Sequence, residues 1–167
     1  MDQQSLFFTF IVAIVALLIE LNIISIYANK QKIKSLENNN ISLILWYLNF
    51  LIPFFLLLKI ALELIENSIE VLIYSTTVSN TFVAVMEKIF IFSGLVFLFS
   101  FLIYFSIERI VSFFITKKDN VIEIENNNYS YFLFKLSLTV FLTFSLLRIF
   151  EDFLKWFLPI VETPFYH

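Results

Sequence analysis

Four long apolar stretches dominate the chain and leave it few ways to fold. The first runs from Leu6 to Ala28, broken by Glu20 and Asn22, and the second from Ile41 to Leu62, with Pro53 and Lys59 inside it. The third begins near Phe82, is most apolar from Ile89 to Ile107 and continues past Glu108-Arg109 to Ile115; the fourth runs from Tyr129 to about Phe150. At ~1.5 Å per helical residue, each is long enough to cross a hydrocarbon core of about 30 Å. Of 167 residues, 60% are hydrophobic and 23 are Phe, more than a soluble domain of this size can bury. The expected class is therefore all-α: a polytopic membrane protein with four transmembrane helices, near 6–28, 41–66, 82–115 and 129–158. Met1-Asp2-Gln3-Gln4 lacks the basic region of a cleavable signal. The segment Phe153 to Tyr166, with Trp156, Pro159 and Pro164, is too short and broken for a fifth crossing, and reads as an extension of the fourth helix along the outer surface.

The chain also repeats itself. Glu37-Asn38-Asn39-Asn40-Ile41-Ser42 returns 88 residues later as Glu125-Asn126-Asn127-Asn128-Tyr129-Ser130. At that offset Ile19 meets Ile107, Glu20 meets Glu108, Lys30 meets Lys118, Leu45 meets Leu133 and Glu63 meets Glu151, and 12 of the 45 positions from Ile19 to Glu63 match without a gap. The pattern predicts one two-helix unit in tandem, residues 1–80 and 81–167, the copies parallel because a two-helix unit crosses an even number of times. Each repeated phrase stands just before the second helix of its unit. Asn and Ser there can accept from unpaired first-turn amides, and Glu suits the positive end of the helix dipole. The alternative is a loop surface that meets a partner or the other copy.

Lysines orient the layout. Lys30, Lys32 and Lys34 occupy the first repeated loop and Lys117 and Lys118 the second, whereas Glu63, Glu66, Glu70, Glu87, Glu151, Asp152 and Glu162 gather at the other ends. The positive-inside rule then places both Asn-rich loops in the cytoplasm and both termini outside. Trp46, near the start of the second helix, and Trp156, beyond the end of the fourth, suit a water–lipid boundary.

Composition removes many chemistries. With no Cys there is no disulfide and no thiolate ligand, and the single histidine, His167, excludes a bis-histidine haem site or a His-based triad within one chain. Gly94 is the only glycine, so no phosphate loop can be built, and no basic stripe invites nucleic acid. No catalytic residue, metal site or cofactor is expected. What remains is charge inside the apolar runs. Glu20 and Glu108 each lie ~12 Å in from the inner loop at helical rise, where a carboxylate is costly and faces a protein interior or a wet cavity. Lys135 enters the fourth helix to a similar depth, and Arg109 adjoins Glu108. An internal salt bridge, an ion or proton site and an inter-subunit contact are the alternatives. Lys59 with Glu63, Arg148 with Asp152, and Glu151 with Lys155 are spaced i,i+4 near the outer boundary and read as a solvated rim.

Glu37 to Leu51 and Glu125 to Thr139, each an acidic and Asn-bearing phrase opening a second helix, resemble the YjfL-like inner-membrane family (domain of unknown function 350). The resemblance covers most of the chain by layout and implies a bacterial inner-membrane location and no established reaction. The functional expectation is a non-catalytic integral membrane protein, an accessory or structural subunit that self-assembles or joins other membrane subunits through helix faces. The alternative is a small ion or proton channel or transporter using Glu20 and Glu108.

Overall fold

The computed structural model describes residues 3–33, 40–74, 80–114 and 118–159, and among them every regular element is helical. In chain order these are α1 (Gln3–Lys30), α2 (Ile41–Tyr74), α3 (Thr81–Phe114), α4 (Asn120–Glu125) and α5 (Tyr129–Lys155). All but α4 are long and apolar enough to cross a membrane, which makes this a multi-pass membrane protein. The repeated-phrase residues Glu37, Asn38 and Asn39, and the C-terminal residues from Ile160 to His167, lie outside the described residues.

The long helix α2 is the centre of the bundle, packing on α1, α3 and α5. Its buried side chains divide into two layers. Toward the loop end, Trp46 and Phe50 join Ile24, Ala28, Tyr104, Phe132 and Ile124; farther along, Phe54, Leu57, Ala61 and Ile65 join Val12, Ala16, Phe92, Val96 and Phe150. Lipid-type exposure covers the outside, with Phe90, Phe113 and Phe141 among the most exposed side chains. The helix continues through Pro53, which has no N–H to bond the carbonyl of Asn49.

Three boundaries differ from the sequence reading. The second helix runs on to Tyr74 instead of stopping near residue 66, because its extra turns are amphipathic: Leu64, Ile65, Ser68, Ile69 and Leu72 are buried, while Glu63, Asn67 and Val71 face out. At 34 residues each, α2 and α3 rise ~51 Å, well beyond the hydrocarbon thickness. The fourth long helix stops at Lys155, with turns at Trp156 and Phe157, short of the expected 158. The second loop is not simply a loop, since it contains α4. Trp46 is also placed differently: at 1% exposure it stacks inside the bundle, whereas Trp156 is exposed.

Among the described residues, two that are not glycine adopt positive φ, Lys32 at 61° and Asn127 at 47°. They end α1 and α4 in the left-handed turn that glycine usually supplies, and Asn tolerates it best. If the joined ends of α2 and α3 are held by their apolar seam, Ile69→Ala should lower unfolding free energy by about 2–4 kcal/mol. Val71→Ala, on the exposed side, should change it by under about 0.5 kcal/mol. Thermal unfolding in detergent compares the two.

Candidate functional site

The most polar place inside the bundle is built around Lys135, on the second turn of α5. Its ammonium lies 2.7 Å and 2.8 Å from the two oxygens of Glu108 on α3, and 2.7 Å from Asn120 Oδ1 at the start of α4. The Asn120 amide nitrogen also donates to Glu108 Oε1 at 3.1 Å, closing a triangle in which every pair of side chains is bonded. All three ammonium hydrogens therefore have acceptors. The rings of Tyr131 and Phe132 stand 4.5 Å and 5.7 Å from the Lys135 nitrogen, adding cation–π attraction. The Lys135 side chain is 3% exposed and that of Glu108 24%, so the pair sits at the edge of the interior, open on the carboxylate side. Arg109, also singled out from the sequence, is exposed and enters no ion pair among the described residues.

The short helix α4 makes this possible. Asp119 caps it by accepting from the amide of Val121 at 2.9 Å, and the cap sets Asn120 beside the ion pair. Ile124 is fully buried under the loop end of the bundle. The repeated phrases then meet across the chain. Asn40 Nδ2 donates to the carbonyl of Ile124, and Asn127 Oδ1 accepts from the backbone N–H and the hydroxyl of Ser42 at 3.3 and 3.2 Å. Asn40 and Asn128 cap their own helices, accepting from Ser42 N and Tyr131 N respectively. Capping and contact between the two phrases thus both occur. Ser42 is buried in this latch, whereas Ser130, Asn126 and Glu125 are exposed; Asn128 also donates to Glu123, which pairs with Lys118 at 3.3 Å.

Glu20 is in a different situation. It is 0% exposed, on the buried stripe Val12, Ala16, Glu20, Ile24 and Ala28 of α1, and neither carboxylate oxygen has a hydrogen-bond partner. It is also not level with Glu108. Tyr27 packs edge-on against Tyr104 and Phe105, so Glu20, seven residues from Tyr27, and Glu108, four beyond Tyr104 on the other side, are separated by roughly 16 Å along the helices. Between them Phe50 stacks on Tyr104 with centroids 3.7 Å apart, and Tyr27 stacks on Trp46 at 6.1 Å. The equal depth expected from loop distances fails because α1 and α3 pack out of that register. At the 88-residue offset, the position matching Lys135 is Tyr47.

A polar thread continues from Lys135 toward the bundle centre. Thr139 Oγ1 lies 2.9 Å from Asn49 Oδ1 and 3.0 Å from the Lys135 carbonyl, and Thr143 donates to the Thr139 carbonyl at 2.7 Å. Asn49, Thr139 and Thr143 were not foreseen; the i,i+4 Thr spacing from Lys135 was the available signal. At the end of the bundle away from the Asn-rich loops, all three expected rim pairs form, Lys59–Glu63 at 4.0 Å, Arg148–Asp152 at 3.9 Å and Lys155–Glu151 at 2.7 Å. Among the described residues no group of His, Asp and Glu is arranged to hold a metal ion.

Comparison of the chain with family models, with curated proteins and with solved structures returned no match.

The triangle makes a quantitative expectation. Glu108→Gln or Lys135→Met alone leaves one charge in the interior without its counter-ion and should cost about 3–5 kcal/mol. The double variant should recover most of that loss, a coupling of at least ~1 kcal/mol in a double-mutant cycle read by thermal unfolding. Independent, additive losses would show that the pair does not hold α3 to α5.

Proposed function

We propose that this chain is a non-catalytic integral membrane protein, an accessory or structural subunit of the bacterial inner membrane that assembles with copies of itself or with other membrane subunits through its helix faces. The observation that carries the reading is that the interior charge is spent on holding helices together. Lys135 has no free hydrogen left once Glu108 and Asn120 are bonded, and the stacked rings of Phe50, Tyr104, Tyr27 and Trp46 fill the space between Glu108 and Glu20. A conducting path would need continuous polar lining, and a reaction would need a nucleophile with a base; the composition supplies no cysteine and a single histidine. In this reading the two halves are one unit duplicated, and it is supported by α2 and α5 each starting at the residue after a capping Asn, Asn40 and Asn128. The YjfL-like resemblance fits the same reading.

The second reading, a small proton or cation transporter, draws on one observation: both oxygens of Glu20 are buried and unpartnered. The two separate experimentally. Extraction of the tagged chain from native membranes, followed by mass determination of the intact particle, should give a mass above one chain plus detergent. A lone chain that carries a proton- or cation-dependent flux in reconstituted vesicles, abolished by Glu20→Gln, would overturn the structural reading. If Glu20 has no transport role, Glu20→Leu should raise stability by about 1–3 kcal/mol, since it removes an unsatisfied buried polar group.

Topology has its own test. With no native Cys, single cysteines report cleanly. Asn126→Cys, in the second lysine-bearing loop, should resist a membrane-impermeant maleimide in intact cells. Asn80→Cys, at the opposite end of the bundle, should react. The reverse pattern would invert the assignment of both termini to the outside.

A further inference from the structure

The pair α1 and α2 leaves a groove on its outer face. Ala13 and Leu17 line it from α1, and Phe55, Leu58 and Leu62 from α2. The α2 residues recur at steps of three and four, so they share one helix face. Ala13 opposite them is too short to close the gap. The groove turns polar at one end only, where Lys59, Glu63 and Glu66 border it. The apolar lining, Phe55 to Leu62, rises ~10 Å, about a third of a hydrocarbon core of about 30 Å. The apolar part of the groove is therefore shorter than one leaflet. A partner transmembrane helix needs a track through both leaflets, whereas this length seats the headgroup-proximal part of an acyl chain.

The polar end adds the headgroup chemistry. Lys59 and Glu63 stand 4.0 Å apart with 77% and 65% of their side chains exposed, a loose pair with capacity for other partners. Glu66 Oε1 is buried and has no hydrogen-bond partner. A buried acceptor of this kind is costly until a donor reaches it. A fitting ligand brings an apolar chain, an anion for Lys59 and N–H donors for Glu66 and Glu63.

We propose that this groove binds a phospholipid with a primary-amine headgroup, of the phosphatidylethanolamine type. The acyl chain lies along Leu17, Phe55 and Leu58, the phosphate meets Lys59, and the ammonium donates to Glu63 and to Glu66, whose half-buried side chain turns to present its unpartnered oxygen. A choline headgroup carries the same charges but no N–H donor. A glycerol headgroup carries donors but no cation, and sets its phosphate beside two carboxylates. The site rests on the membrane-spanning bundle and not on the accessory role: a chain that is a monomer and binds this lipid leaves the site standing.

Native mass spectrometry of the purified full chain tests it, with phosphatidylethanolamine, phosphatidylcholine and phosphatidylglycerol of identical acyl chains supplied in equal amounts. The ethanolamine lipid should be retained about ten-fold over the other two, the scale of one charge-assisted hydrogen bond. Glu66→Gln should reduce its retention to the choline level, and Ala13→Leu, by filling the groove, should remove all three adducts. Circular dichroism checks that both variants keep their helix content. If Glu66→Gln does not, Glu63→Gln and the headgroup preference of the native chain decide instead. Equal retention of the three lipids, or a preference unmoved by Glu66→Gln in a folded protein, overturns the proposal. So does a dimer that Ala13→Leu dissociates and that retains no lipid, which would assign the groove to a second copy.

Discussion

Lys135 is the residue around which the loop end of the bundle is arranged. An ammonium removed from water costs several kcal/mol unless its geometry is excellent and all its hydrogens are bonded. Three acceptors cannot come from one neighbouring helix here, so they come from two elements, the carboxylate of Glu108 on α3 and the amide of Asn120 on α4. That requirement reaches further than the pair itself. To place Asn120, the chain must fold Asp119 to Glu125 back as a helix under the bundle, which buries Ile124. The buried turn in turn offers the Ile124 carbonyl to Asn40 and Asn127 to Ser42, so the start of α2 is fixed by a loop belonging to the other half. One interior charge thereby organises a loop, a cap and three helix positions.

Aromatic rings set the spacing of the remaining contacts. Membrane helices commonly approach closely over small residues. This chain has one glycine, Gly94, and a side chain added there would meet nothing within 4 Å. Packing instead goes through ring pairs at each level: Phe50 on Tyr104, Phe54 on Phe97 with centroids 5.7 Å apart, and Phe99 against Phe150 at 5.1 Å. Rings hold the helices apart but fill the space between, and the same rings that pack the core separate Glu108 from Glu20. A chain built this way gains interior volume occupied by side chains, not a lumen.

The helices were legible in the sequence because apolar runs of this length have one physical outcome in lipid. Lys135 was legible as one candidate partner of Glu108, beside Arg109, an ion site and a subunit contact, and the two side chains lie 2.7 Å apart. The helix α4 was not, since six residues with three apolar positions carry too little periodicity to stand out from a loop, and its stability comes from Asp119 and from burial of Ile124. The extension of α2 was missed for a related reason: hydropathy drops at Glu63, although the helical period continues to Leu72. The level of Glu20 could not be read at all. Depth counted from a loop assumes that both loops lie at the same height, and the contacts of Tyr27 with Tyr104 and Phe105 show α1 and α3 packed eleven residues away from the offset of the repeat.

The two halves therefore carry the same carboxylate with opposite consequences. In the second half, a lysine one turn and a half into the following helix answers it, and the ion pair ties α3 to α5 and to α4. In the first, Tyr47 stands in the lysine's place, and Pro53 replaces Phe141 farther along, leaving the carbonyl of Asn49 without its usual helical donor. Asn49 is also the residue whose side chain meets Thr139, so the polar thread from Lys135 reaches α2 at the turn where Pro53 relaxes its backbone bonding. Charge has been concentrated on the α3–α5 side, and α1 is seated on α2 chiefly by apolar and aromatic contact. The ion pair clamps α3 to α5, and the buried, unanswered Glu20 is the group that a displacement of α1 would bring to water or to another chain.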